Sequence, residues 1–317
     1  FAPTIISGVN DAKKVMRTPE LFFDFNTYKQ ADMIIKSALK LVSDAYSPSI
    51  LTLSTFESGT RAEESTQRST EFARNKNINP FIDLYDEVLL PSEPWENYSL
   101  VGISIVGISQ ILPGLTLARL LKEKYSHLHI TLGGPIFSVN SKQLLGHPEF
   151  FQEFCDSIVT FEGEEPLHRL LTTLKNGSTL KEVPNLLFYE NGVVETNEER
   201  VELRFEEMPP PTFDGLPMDL YLSPYPILPV LQSRGCYWGK CTFCTHSFIY
   251  GHRYGKQRTE QMVDELENLA KKYKTKYFTF SDEAVSPHSL NDVSEEIIKR
   301  DVDIKSLALL KFEKVMD

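Results

Sequence analysis

The chain has 317 residues, 41% of them hydrophobic and 24% charged, which suits one large or two medium globular domains with real cores and excludes a disordered chain. Its net charge of −11 argues against a nucleic-acid or anionic-membrane partner, because phosphate binding needs clustered Lys and Arg, and leaves a small molecule, peptide or cofactor as the expected ligand. Four cysteines, three of them between positions 236 and 244, do not make a disulfide framework and suit a reducing cytoplasm.

No signal peptide is visible at the start, and Phe1 in place of Met reads as a fragment or a trimmed chain. The longest apolar stretch, Leu100 to Leu121, is interrupted by Ser104, Ser109, Gln110, Pro113, Gly114 and Arg119, so it reads as a strand, a loop and a helix rather than a membrane span. Short β-branched or aromatic runs predict strands at Leu21 to Phe25, Ile50 to Leu53, Leu100 to Ile105, His129 to Leu132 and Ser157 to Phe161. Apolar spacing of three and four predicts helices at Ala31 to Ala45, Arg61 to Arg74, Pro113 to Tyr125 and Glu165 to Lys175. Such alternation predicts an α/β fold: a mostly parallel, Rossmann-like doubly wound sheet with helices on both faces. Ligands of these sheets sit beyond the carboxyl ends of the strands, where Val106-Gly107-Ile108-Ser109, Gly133-Gly134-Pro135 and Glu162-Gly163-Glu164 follow candidate strands. A tight turn alone accounts equally well for Gly133-Gly134-Pro135.

Asn191-Gly192 between Leu186 to Tyr189 and Val193-Val194 is a hairpin signal, expected to close a first domain over residues 1–205. Seven prolines between positions 209 and 229 then predict a stiff linker over 206–229 without regular structure. Composition shifts with it: residues 1–229 carry 19 basic and 31 acidic side chains, and residues 230–317 carry 14 and 13. The second domain, 230–317, is read as a strand at Val230 to Gln232, a helix from Thr259 to Tyr273, a strand from Tyr277 to Phe280, a helix capped by Ser286 with Pro287 at its first position, and a strand from Ser306 to Leu310.

Cys236, Cys241 and Cys244 stand without a fourth cysteine nearby. Three thiolates on a 4Fe-4S cluster leave one iron open, and an open position is what lets a metal site do chemistry. His246 or His252 nearby would instead complete a structural zinc site of three thiolates and one imidazole, in a non-enzymatic module. Cys155, beside Phe154, reads as a small core residue.

The cysteine loop after a strand, Phe243 between its second and third cysteines, and Phe280-Ser281-Asp282-Glu283 ending the next strand resemble the radical S-adenosylmethionine enzymes. Leu100-Val101-Gly102-Ile103-Ser104 through Leu132-Gly133-Gly134-Pro135 to Glu162-Gly163-Glu164 resembles the cobalamin-binding domain of that superfamily's cobalamin-dependent branch. The resemblance runs from about Asn79 onward with gaps, and residues 1–78 match faintly. It implies that Cys236, Cys241 and Cys244 hold the cluster, whose open iron chelates S-adenosylmethionine for cleavage to a 5'-deoxyadenosyl radical. It places Glu283, with Asp282 and Ser281, at the methionyl ammonium, Phe243 near the adenine, and Lys311 at the carboxylate or ribose. Cobalamin would rest on Ser104, Gly107, Gly133, Gly134, Glu162 and Gly163, without an axial histidine, since no Asp-x-His-x-x-Gly motif occurs.

Four residues separate Cys236 from Cys241 where the family usually has three, a longer loop that also occurs in the cobalamin-dependent branch. The family's barrel has about six strands, so the three expected here imply a truncated β/α barrel. The implied activity is radical methylation of an unactivated carbon or phosphorus centre in a small molecule or peptide, with an external flavodoxin- or ferredoxin-type electron donor. A non-methylating rearrangement, cyclisation or oxidation is the nearest alternative.

Overall fold

A computed structural model describes residues 2–197, 199–201, 204–205, 208–250 and 253–311. In chain order the helices and strands begin with α1 (Ala2–Arg17), α2 (Pro19–Phe22), α3 (Phe25–Ala45), β1 (Ile50–Leu51), β2 (Phe56–Glu57), α4 (Thr66–Arg74) and α5 (Pro80–Leu84). They continue with β3 (Leu100–Ser104), α6 (Ile111–Lys124), β4 (His129–Gly133), α7 (Pro135–Val139), α8 (Ser141–Leu144), α9 (Pro148–Phe154), β5 (Ser157–Val159), α10 (Glu164–Asn176), β6 (Leu186–Glu190) and β7 (Val193–Thr196). The remainder are β8 (Ile227–Val230), β9 (Ser233–Arg234), α11 (His246–Ile249), β10 (Gly255–Lys256), α12 (Thr259–Tyr273), β11 (Tyr277–Phe280), α13 (Pro287–Lys299) and β12 (Lys305–Leu307).

The chain forms two compact units, Lys36–Glu202 with Phe1–Ala2, and Leu203–Asp317 with Pro3–Ile35. In the first, β3, β4 and β5 run parallel and β6 and β7 complete the five-stranded sheet antiparallel, in the order β3-β4-β5-β6-β7. Side chains alternate across a pleated strand. Val101, Ile103, Ile130, Leu132, Ile158 and Leu187 therefore share one core with α6 and α9. Leu100, Val159, Leu186 and Phe188 share another with Leu170 and Leu174 of α10. Helices thus cover both faces, and the class is α/β.

Two strand expectations give way in this half. Leu21 to Phe25 forms no strand: Leu21 and Phe22 end α2, Phe23 and Asp24 make the turn, and Phe25 begins α3, because Pro19 fits a first helical position and so short a run, interrupted by Asp24, carries no period to separate strand from helix. Ile50 to Leu53 shortens to β1, which pairs only with β2 and stays out of the main sheet.

In the second unit β8, β11 and β12 form a parallel sheet in the order β12-β11-β8. Leu228, Val230, Phe278 and Phe280 pack under Met262, Val263, Leu266 and Leu269 of α12 and Val293 of α13. The expected helix Thr259 to Tyr273 and strand Tyr277 to Phe280 form with those bounds, and the Ser286 hydroxyl caps α13 by accepting from the Ser289 N–H. Regular structure nevertheless enters the proline-rich segment, since β8 contains Pro229. β8 is an edge strand, where a residue without an N–H is tolerated. Residues 3–35 differ from the expected first domain by joining this second unit. The Arg17 guanidinium donates to the Leu220 carbonyl at 2.5 Å, and the Phe23 ring lies 6.3 Å from that of Tyr225.

Candidate functional site

The chain leaves β8 through Leu231 and Gln232 into β9, which pairs antiparallel with β10, and the cysteine loop hangs between those two short strands. Gly235 begins it at φ +82°, where an added Cβ would lie 2.1 Å from the Arg253 carbonyl oxygen, so only glycine fits. Cys236, Cys241 and Cys244 are all free thiols; Cys241 is exposed and the other two are half-buried. The Cys244 N–H donates to the Cys241 carbonyl at 3.2 Å, making the turn that carries the last two cysteines. Among the described residues no three His, Cys, Asp or Glu side chains are gathered closely enough to hold a single metal ion.

Asp282, 1% exposed, anchors this loop rather than facing outward. Its carboxylate accepts from the Gln232 N–H at 3.1 Å, the Ser233 N–H at 2.6 Å and the Ser233 hydroxyl, and burial pushes its carboxyl up. The end of β11 is thereby fastened to the entry of the cysteine loop. Replacing Asp282 with Ala would leave two buried N–H donors unsatisfied, so unfolding by urea should show a loss of about 3 kcal/mol. An unchanged midpoint would show that the anchor carries no load.

One residue on, Glu283 has Oε1 3.4 Å from His246 Nδ1, while Oε2 is buried without a hydrogen-bond partner among the described residues. An unsatisfied buried acceptor next to a thiol loop is a place for a donor-bearing ligand. Phe243 is 88% exposed at the loop's tip. Lys311 reaches the loop from beyond β12, with its ammonium 3.2 Å from the centroid of the Trp238 ring. Trp238 is one of the four residues between the first two cysteines, so the lengthened loop supplies the aromatic face on which Lys311 rests. Ser281 donates its N–H to Val230 at 2.8 Å. Three unpaired thiols suit thiolate ligation of a cluster. For the zinc alternative, His246 is turned to Glu283, and His252 lies outside the described residues.

The first unit has its own cavity, about 430 Å³, at the carboxyl ends of β3, β4 and β5. It brings together Ser104, Gly133, Gly134 and Gly163 of the residues expected to bind a ligand. Gly107 and Glu162 do not line it: Gly107 is exposed with open space where a Cβ would be, and the Glu162 carbonyl accepts from Asn185 Nδ2 at 3.2 Å. Sequence reading missed Gly102, Thr131 and Phe161 in the wall. Gly102 and Ser104, two apart on β3, and Thr131 and Gly133, two apart on β4, give the sheet a face of small side chains, which is why it is hollow there. The period-two spacing was the available signal. Beneath, the Ser157 hydroxyl donates to Thr131 Oγ1 at 3.0 Å and lies 2.8 Å from His129 Nε2, and burial holds the His129 imidazole below its usual range. Phe161 closes one side in a left-handed backbone conformation, φ +59°, with its N–H on Ser138 Oγ at 2.7 Å and the Arg200 guanidinium 4.0 Å from its ring. Such strain in a non-glycine residue concentrates at ligand clamps. Cys155 is fully buried in the α6–α9 core, and burial raises its thiol well above the ordinary value, which removes it from any thiolate chemistry.

No protein-family model matches the chain. An uncharacterized methyltransferase of Pyrococcus horikoshii is 30% identical over 212 residues, 65% of this chain and 44% of that protein. Among solved structures, OxsB, a cobalamin-dependent S-adenosylmethionine radical enzyme with aqua-cobalamin bound, is 25% identical with a TM-score of 0.55 over 71% of this chain and 32% of that one. TsrM from Kitasatospora setae, a radical S-adenosylmethionine methyltransferase with cobalamin and a 4Fe-4S cluster bound, shares the fold at 17% identity with a TM-score of 0.54, over 73% of this chain and 48% of that one. The chain therefore spans less than half the length of these relatives.

Proposed function

For a chain related to the cobalamin-dependent radical S-adenosylmethionine enzymes, we propose radical methylation of an unactivated carbon or phosphorus centre in a small molecule or peptide. The observation that carries the reading is the trio of free thiols, Cys236, Cys241 and Cys244, in a loop anchored by Asp282 and flanked by the unsatisfied Glu283 oxygen. With the groups bound, a 4Fe-4S cluster supplies the electron that cleaves S-adenosylmethionine, and cobalamin supplies the methyl group.

The protein's own part is placement. Cys236, Cys241 and Cys244 are the thiolate ligands. Glu283, with Ser281 beside it, offers acceptors to the methionyl ammonium, while Asp282 holds the strand end and loop in register. Phe243 supplies an apolar face for the adenine, and Lys311 a cation for the carboxylate or ribose. Ser104, Gly133, Gly134 and Gly163 form the cobalamin wall, joined by Gly102, Thr131 and Phe161. Gly107 and Glu162 are left out of it. The electron comes from an external donor of the flavodoxin or ferredoxin type.

Titration of the purified protein with aquacobalamin, followed by its visible spectrum, tests the first-unit half of this reading. An added Cβ at Gly102 would meet only an ordinary van der Waals contact, the Thr131 methyl at 3.7 Å, so Gly102→Leu fills the cavity without breaking the strand. Affinity should fall by about tenfold or more in that variant, equivalent to about 1.4 kcal/mol. Equal affinity in both proteins would place cobalamin elsewhere.

A further inference from the structure

We propose that the second unit contains a separate site for a primary ammonium carried on an apolar body, built around Glu265 and Gln257. The two lie in the wall of a cavity of about 290 Å³ beside β8, walled otherwise by Phe205, Met208, Pro229 and Leu231 among others. Glu265 is 6% exposed, on α12, and is the one charged side chain among the described lining residues. Its Oε2 accepts from Gln257 Nε2 at 3.2 Å, but its Oε1 has no hydrogen-bond partner, and neither has Gln257 Oε1, among the described residues. Two orphaned acceptors on neighbouring side chains in the wall of one apolar cavity are a costly arrangement that folding alone does not explain. Burial raises the Glu265 carboxyl, as expected of a carboxylate without a counter-charge.

An ammonium resolves all of this. It brings the missing positive charge and three donors, for which Glu265 Oε1 and Gln257 Oε1, on two side chains of the cavity wall, are the acceptors without partners among the described residues. The apolar walls then take the body that carries it. Because Ser281 belongs both to this cavity and to the strand end assigned to S-adenosylmethionine, the occupant is read as the amine end of the substrate, and that assignment rests on the proposed function; the site itself does not.

Calorimetric titration with phenethylamine, phenethyl alcohol and ethylbenzene tests the site, since the three share a body and differ in the donor. The amine should bind at least about tenfold more tightly than ethylbenzene, and Glu265→Gln, which removes the charge, and Glu265→Leu, which removes the buried unsatisfied acceptor, should each abolish that preference, with the melting temperature unchanged or raised in Glu265→Leu. S-adenosylmethionine should not displace the amine. Equal binding of all three, no binding of any, displacement by S-adenosylmethionine, or a lowered melting temperature in Glu265→Leu would overturn the proposal. Iron and sulfide content, measured on the same preparations, reports separately on the cluster: amine binding by a protein that assembles no cluster would sustain this site and overturn the proposed function.

Discussion

Cys241→Ala should purify folded and, after anaerobic reconstitution, lack both iron and acid-labile sulfide, where the unaltered chain takes up about four of each, as expected from a 4Fe-4S cluster. Cys241 is exposed and its side chain supports no core cluster, so the substitution removes a ligand without opening a cavity. Far-ultraviolet circular dichroism should therefore be unchanged. Reductive cleavage of S-adenosylmethionine should fall below detection, because two thiolates do not hold the cluster with a single open iron. The zinc reading gives a different pair of results: one tightly held zinc, no sulfide, and a fold that loosens when a ligand is lost. Retained cleavage in the variant would sink the radical assignment whatever the metal content.

Elements with a strong local signal were legible in the sequence, and those decided by a distant partner were not. Ser286-Pro287 announces a capped helix start, and α13 begins there; Asn191-Gly192 announces a hairpin, and β6 and β7 flank it. Leu21 to Phe25 misleads because four apolar residues around Asp24 carry no period, and one ring partner of Phe23, Tyr225, lies about two hundred residues away. The site divides along the same line. The three cysteines fall within nine residues of sequence and are visible at once. The Asp282 anchor joins residues forty-nine and fifty apart, and its role as a loop fastener appears only when β8 and β11 are seen side by side. Glu265 on α12 and Gln257 in the connection before it are eight residues apart, and one buried Glu on an amphipathic helix looks from sequence like any solvated one.

Gly134 is where fold and proposed ligand wall depend on one atom that is missing. It sits between β4 and α7 at φ +114° and ψ 166°, a region open to glycine alone, and an added Cβ would lie 2.2 Å from the Ile105 carbonyl oxygen and 2.8 Å from its carbon. Ile105 cannot yield cheaply. It is 1% exposed in the main core, and its N–H donates to the Gly133 carbonyl at 2.8 Å, so moving it breaks the register of β3 against β4. Backbone strain and displacement together should make Gly134→Ala cost about 4 kcal/mol in urea unfolding, a large share of a typical domain's stability. Gly177→Ala supplies the control, since that glycine also has a positive φ, +65°, but open space around it; strain alone should cost about 1 kcal/mol there. The difference between the two variants isolates the close approach. Because the carbonyl that the methyl would strike belongs to the strand leading out of Ser104, cobalamin affinity should fall with stability in Gly134→Ala and stay level in Gly177→Ala. Equal losses in the two variants would show that the tight packing of Gly134 on Ile105 holds neither the sheet nor the cavity.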